Sequence, residues 1–285
     1  MDDRCKNCFT NNYDKLLKKF PLTGCQSLEF CAFFDRLMDN GEDKITPLIQ
    51  RELLHKFRDM NGITDPYLKE KKKSNKIALK LYKQWKPKVL ASANPFNLSL
   101  RMAIAGNIMD YGTDQEFDVH ETIHKAMHVD FAIDDSALLM HKIQEAKNIL
   151  YLGDNAGEIV FDKLFLETIA HKHVVYAVRG APVLNDATLK DAREIGIDLV
   201  ADVISNGYDA PSTVLSQCSS EFLEVYNSAD LIISKGQGNL EGLISERDPR
   251  LFFLLMVKCD VIGEVLNVKK GSVVVFNQNN LKLNL

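Results

Sequence analysis

The stretch Asn148-Ile-Leu-Tyr-Leu-Gly-Asp-Asn-Ala-Gly-Glu158 decides how the chain is read. Its apolar run, Ile149 to Leu152, is too short for a core helix and suits a buried strand. Gly153 ends the run, and Asp154-Asn155 leads into a helix expected from about Ala156 to Ala170. The same unit recurs downstream. His173 to Val178 reads as a second strand, followed by a helix from Asn185 to Ile195. Val200 to Ile204 is a weaker third strand, followed by a helix near Ser212 to Ser228. Asp230 to Ser234 is another, and Phe252 to Lys258 and Ser272 to Phe276 complete the set. Strands alternating with helices predict an α/β fold whose mostly parallel sheet is covered on both faces.

Upstream of residue 147 the pattern changes. Leu28 to Met38 places Phe30, Phe33, Phe34 and Leu37 on one helical face, and Leu48 to Phe57 and Ser74 to Trp85 repeat that spacing. Asp134 to Ala146 reads as a further helix with acidic residues in its first turn. The expected organisation is therefore a helical N-terminal part, 1–145, followed by an α/β domain, 146–285, that carries the site.

A chain of 285 residues with 46% hydrophobic and 26% charged residues is ordinary globular composition and can bury a full core. The formal net charge of −4 argues against a nucleic-acid surface, which needs clustered positive charge. A small phosphorylated ligand needs only one or two local cations. The longest apolar run, Leu251 to Val257, is far short of the roughly 20 residues of a membrane span. The start, Met1-Asp-Asp-Arg-Cys-Lys, lacks the apolar stretch of a signal peptide, so a cytoplasmic protein with reduced cysteines is expected.

Ligands of open parallel sheets sit beyond the carboxyl ends of the strands, so the residues there carry the chemistry. After the first strand, Asp154 and Asn155 are hard oxygen donors of the kind that hold Mg²⁺ or Mn²⁺, and Gly153 and Gly157 permit close backbone approach. After the second comes Arg179-Gly-Ala-Pro-Val-Leu-Asn-Asp-Ala-Thr188, with a second Asn-Asp pair, Asn185-Asp186, at a helix start. Either pair alone also reads as a helix cap, whereas two pairs at successive strand ends can converge on one ion. Lys235-Gly-Gln-Gly-Asn-Leu-Glu241 follows the Asp230 strand; a lysine beside a Gly-x-Gly turn fits an anion cradle. It is neither a dinucleotide fingerprint nor a nucleotide P-loop, because position 241 is Glu and no Gly-Lys-Ser/Thr follows. In the helical half, Asn107 and Asp110 share a helix face.

Other clusters read more plainly. Lys69 to Lys88 is a solvated helix face, and His120, His124 and His128 share one face without closing a metal shell. Cys5-x-x-Cys8 has zinc-ligand spacing, but its looser partners Cys25 and Cys31 do not complete a knuckle, and buried thiols are the simpler reading.

Taken in order, Cys5-x-x-Cys8, Gly106-Asn107-x-x-Asp110, Gly153-Asp-Asn-Ala-Gly-Glu158, Arg179-Gly-x-Pro-x-x-Asn-Asp-Ala-Thr188 and Lys235-Gly-x-Gly-Asn-x-Glu241 resemble the metal-dependent damage-control phosphatases, also catalogued as domain of unknown function 89. The N-terminal Cys-x-x-Cys resembles the stand-alone prokaryotic-type branch of that family. The resemblance implies a Rossmann-like three-layer α/β/α core with a helical N-terminal part. It implies one divalent ion (Mn, Mg, Co or Ni) held by Asp154, Asn155 and Asp186, and a small phosphorylated metabolite as substrate. Lys235 matches the lysine that contacts phosphate, and Asn107 and Asp110 match positions lining the same cleft.

The mechanism that follows is attack of activated water on a phosphate monoester. Asp110 or Asp186 orients the water, while Lys235 and the amides of Gly236 to Asn239 balance the phosphoryl oxygens. Arg179 either grips phosphate or braces its loop. Glu158, Asn185, Gly236, Gly238 and Asn239 complete the expected substrate-facing set. Two other readings remain at this point: an S-adenosylmethionine-dependent carboxyl methyltransferase, suggested by the Gly153 turn, and a non-catalytic protein that binds metal or phosphometabolite at the same site.

Overall fold

A computed structural model of the chain describes residues 2–39, 44–106 and 129–280. Asn107, Asp110, His120, His124 and His128 lie outside the described residues.

Seven strands form one sheet in the order β1-β7-β6-β5-β2-β3-β4. They are β1 (Phe131–Asp134), β2 (Ile149–Leu152), β3 (Val174–Val178), β4 (Asp202–Ser205), β5 (Leu231–Lys235), β6 (Leu251–Met256) and β7 (Val273–Asn277). All neighbouring pairs are parallel except β6 and β7. The expected α/β class with a mostly parallel sheet is what the chain adopts.

The apolar β2 run is explained by burial on both faces. Ile149 and Tyr151 join the core on one side of the sheet, Leu150 and Leu152 the core on the other. The first side is covered by α4 (Leu68–Leu90), α5 (Pro95–Ala105), α6 (Ser136–Glu145), α7 (Ile159–Ile169) and α8 (Leu189–Ile195). The second is covered by α9 (Ser220–Ser228), α10 (Gly236–Leu243) and α11 (Asp260–Leu266). A third core joins α1 (Asp3–Lys19), α2 (Gly24–Asp39) and α3 (Thr46–Asn61), and takes in Val183 from the loop after β3.

Two sequence expectations shift here. The sheet begins at Phe131, ahead of the expected boundary at 146, because β1 is a four-residue strand at the sheet edge with no apolar run to announce it. Helices α4 and α5 also share their core with the sheet, so the segment with its own core is α1–α3 and not all of 1–145. Most of the lysines of α4 are exposed as expected, whereas Lys86 is half-buried and paired with Glu167 at 2.9 Å. Lys71 is buried and paired with Asp65 at 2.8 Å and Asp191 at 3.3 Å.

Strands β2, β3 and β4 step outward in one direction, and β5 returns to the other flank of β2. The order therefore reverses between β2 and β5, and the carboxyl ends of those two strands carry Asp154 and Lys235. Such a reversal point is where open α/β sheets bind ligands.

Candidate active site

The loops after β2 and β3 are zipped together by backbone hydrogen bonds. Ala156 N–H donates to Asn185 O at 2.9 Å, and Ala187 N–H donates to Asp154 O at 2.8 Å. Asn155 and Asp186 thereby face each other as an isolated antiparallel bridge. The two Asn/Asp pairs, 31 positions apart in sequence at Asn155 and Asp186, so meet at one point of the sheet edge. The connection is held from behind by α4. Asn75 Oδ1 accepts the Gly157 N–H at 2.7 Å, and one turn earlier Lys71 holds Asp191, which caps α8 through the Thr188 N–H and hydroxyl.

Arg179 is 2% exposed and binds inward. Its Nε donates to Asp186 Oδ2 at 2.6 Å, Nη1 to Asn239 Oδ1 at 2.8 Å, and Nη2 approaches Asp154 Oδ1 at 3.5 Å. Asn239, fully buried, also donates to Gly153 O and Lys235 O. These bonds tie Arg179 to the loops after β2 and β3 and to α10.

Lys235 is placed differently from its expected phosphate contact. It is fully buried, and its ammonium donates to Asp162 Oδ1 at 2.6 Å, Glu158 Oε1 at 2.7 Å and Ala103 O at 2.8 Å. Three acceptors use all three protons of an ammonium. Asp162 in turn accepts the hydroxyls of Tyr151 and Tyr176. The Gly-x-Gly turn also has another explanation. A Cβ at Gly236 would fall 1.9 Å from Asp154 Oδ2, and one at Gly238 would fall 2.1 Å from Pro211 O. The first glycine makes room for the Asp154 carboxylate and the second for a neighbouring loop. Asn185 contributes its carbonyl to the zipper, and Glu158 accepts from Asn155 Nδ2 at 3.1 Å.

Four carboxylates, Asp154, Glu158, Asp162 and Asp186, are buried here with two cations, Arg179 and Lys235. Burial pushes the Asp154 carboxyl up to about 8, and repulsion from Glu158 and Asp186 adds to it. Burial also raises Asp162 and Asp186. Burial opposes the Lys235 charge, but Asp162 and Glu158 overcome that and hold its pKa above the ordinary value. An excess of buried negative charge is what a divalent cation would balance. Asp154, Asn155 and Asp186 are oxygen donors suited to a hard ion, and Gly236 leaves the space beside Asp154 clear. Among the described residues no three His, Cys, Asp or Glu side chains form a ligand cluster.

Sequence reading missed two residues. Asp162 lies one turn beyond Glu158 on α7, and that i, i+4 spacing of acids entering an otherwise apolar helix was the available signal. Lys258 follows β6 at the same end of the sheet, is exposed, and lowers the pKa of both Asp154 and Asp186. Among the described residues no carboxylate forms an ion pair with it.

Fold and cluster together define an open α/β protein with a buried, acid-rich group of side chains at the reversal point of its sheet. The model of the damage-control phosphatase ARMT1-like domain matches residues 1–274, and the chain belongs to that family. It is 38% identical over 235 residues to the damage-control phosphatase PH1575 of Pyrococcus horikoshii, covering 81% of this chain and 79% of that one. It is 31% identical over 220 residues to a damage-control phosphatase of Archaeoglobus fulgidus, covering 75% and 76%. The crystal structure of the Pyrococcus horikoshii protein, described as a domain-of-unknown-function-89 family protein, superposes with a TM-score of 0.87 at 31% identity, covering 98% of this chain and 99% of that one. Among the described residues no helix is long and apolar enough to cross a membrane.

Proposed function

We propose that this protein is a divalent-metal-dependent phosphatase that hydrolyses small phosphate monoesters, sugar phosphates or damaged phosphometabolites. The observation that carries the reading is the meeting of Asp154, Asn155 and Asp186 through the Ala156 and Ala187 backbone bonds, within a cluster holding more buried acids than cations. Those three residues would hold the ion. When bound, it would supply positive charge to the phosphoryl oxygens and acidify water near neutral pH.

The chain's own groups do the rest. Arg179 fixes the Asp186 carboxylate and orients Asn239, so the donors do not have to reorganise when substrate arrives. Lys235 anchors Glu158 at the start of α7, and Glu158 accepts from Asn155, which orients that amide. Lys258 is positioned to meet the anionic end of a substrate from the solvent side. Phosphoryl transfer depends mostly on such positioning and charge compensation.

The test is phosphate release from p-nitrophenyl phosphate and a panel of sugar phosphates, after chelator treatment and return of Mg²⁺, Mn²⁺, Co²⁺ or Ni²⁺ in turn. Release restored by an ion and lost in Asp154→Ala is the expected result. Tight ion binding with no release from any ester would overturn the phosphatase reading in favour of a binding protein.

A further inference from the structure

The groups buried behind Asn155 form one chain of hydrogen bonds, and its charged members fix the direction of each link. An ammonium only donates, and an ionised carboxylate only accepts. Lys235 Nζ donates to Asp162 Oδ1 at 2.6 Å and to Glu158 Oε1 at 2.7 Å. The other oxygen of Glu158 accepts from Asn155 Nδ2 at 3.1 Å, and Asp154 Oδ2 accepts from the same nitrogen at 2.8 Å. The amide nitrogen of Asn155 is thus turned toward the protein. Lys235 is itself held from the core. Asp162 accepts the hydroxyls of Tyr151 on β2 and Tyr176 on β3 at 2.8 and 2.7 Å, and those two rings stack with centroids 5.1 Å apart. A Cβ at Gly153 would fall 2.5 Å from the Tyr176 hydroxyl, so the residue before Asp154 leaves room for that hydroxyl.

We propose that Lys235 and Glu158 are positioning residues that commit the oxygen of Asn155, and not its NH₂, to the divalent ion. This rests on the ion site proposed above, but not on the reaction carried out there. The two ends of a side-chain amide have nearly the same shape, so packing selects weakly between them. Their chemistry is opposite: the oxygen suits a hard cation, whereas the NH₂ has only protons to offer. Turning the Asn155 amide over would set its oxygen against the Glu158 carboxylate and present the NH₂ to the cation. Glu158 cannot swing away to relieve this, because it is 1% exposed and its other oxygen is held by Lys235. Lys235 cannot follow it, because Asp162 and Ala103 O take its remaining protons. In this role Lys235 touches neither ion nor substrate. It acts through Glu158, as groups behind a metal's ligands do when they fix ligand orientation.

The test compares Glu158→Gln with Asp162→Asn in the full-length protein. Glu158→Gln keeps the shape and an acceptor for Lys235, but its other end becomes an NH₂ that meets the Asn155 NH₂. Asp162→Asn removes the same unit of buried charge without reversing a link. Its new amide still accepts from Lys235, and its NH₂ donates to the Tyr176 hydroxyl, which is able to accept. Mn²⁺ binding to chelator-stripped protein, measured by titration calorimetry without substrate, is expected to weaken about 10- to 100-fold in Glu158→Gln and distinctly less in Asp162→Asn. Circular dichroism checks the fold of each. A second readout needs no variant. In heteronuclear NMR of the wild-type protein, the side-chain amide protons of Asn155 should exchange slowly with solvent, as protons held by carboxylates do. This readout decides the matter if Glu158→Gln does not fold. A freely exchanging Asn155 amide would overturn the proposal, and so would equal losses in the two variants. Mn²⁺ affinity unchanged in Glu158→Gln would overturn it while leaving the phosphatase reading standing. A wild-type protein that binds no Mn²⁺ would overturn both.

Discussion

Lys235 stands at the strand end where the sequence puts it, and its ammonium is bound there by buried carboxylates. Sequence puts it beside a glycine turn at a strand end, where a lysine reads as an anion ligand. Burial makes it instead the cation that holds Glu158 and Asp162 inside the protein. Lys235→Met is therefore expected to cost about 3–5 kcal/mol of stability in urea denaturation, because it strands buried carboxylates. A stable variant with only a raised KM would return Lys235 to the phosphate. Asp154 carries the second prediction. Its folded-state pKa of about 8 lies above the ordinary 3.8, so the folded chelated protein holds this proton more tightly than the unfolded chain. Its contribution is present below the lower value and is lost as pH rises toward 8. In chelator, the Tm of wild type should fall between pH 5 and 8.5 more steeply than that of Asp154→Asn. Adding Mn²⁺ at a hundredfold over its Kd should restore about 2.7 kcal/mol at the high-pH end, in wild type only. Equal pH slopes in the two proteins would show that Asp154 is not the group responsible.

At the level of elements, the site is made by one helix and two loops. Helix α4 reaches one loop through Asn75 and the element after the other through Lys71, a turn apart. Asn75→Ala leaves the Gly157 N–H without its acceptor, a cost of about 1–3 kcal/mol. The same change loosens the turn that carries Asn155. A fall in kcat of roughly 10- to 100-fold is expected from such misplacement, measured with saturating ion. Unchanged kcat would mean that the loop is held by its zipper alone. Gly236→Ala tests the other side of the site. Its φ of 78° and the 1.9 Å approach to Asp154 Oδ2 require the carboxylate to move. Metal-dependent phosphate release should be lost while the far-ultraviolet circular dichroism is kept.

For the whole molecule, the distribution of cores matters most. Helices α4 and α5 pack into the same apolar layer as the sheet, whereas α1–α3 form their own layer, which takes in Val183 from the loop preceding Asp186. The helical cap therefore grips the site loop from outside. Segments with their own small core open more readily than those sharing the main one. Hydrogen exchange should show amides of α1–α3 opening at lower free energy than those of β2, β5 and α5. Protection of α1–α3 equal to that of β2 would make the chain a single cooperative unit.

The sequence by itself determined the fold class and pointed to Asp154, Asn155 and Asp186, which the structure brings together at one edge of the sheet. Strand ends are legible because a run buried on both faces, such as Ile149–Leu152, must stop where the backbone meets polar residues. Asp154, Asn155 and Asp186 were legible because they stand at those stops. Short edge strands were not, since β1 carries no apolar run to mark it. Only the tertiary structure decided which charges face each other: that Lys235 and Arg179 are paired with buried carboxylates, and that Lys258 stands toward solvent. Burial and pairing of charged groups depend on distances between segments remote in sequence, and local pattern does not encode those distances.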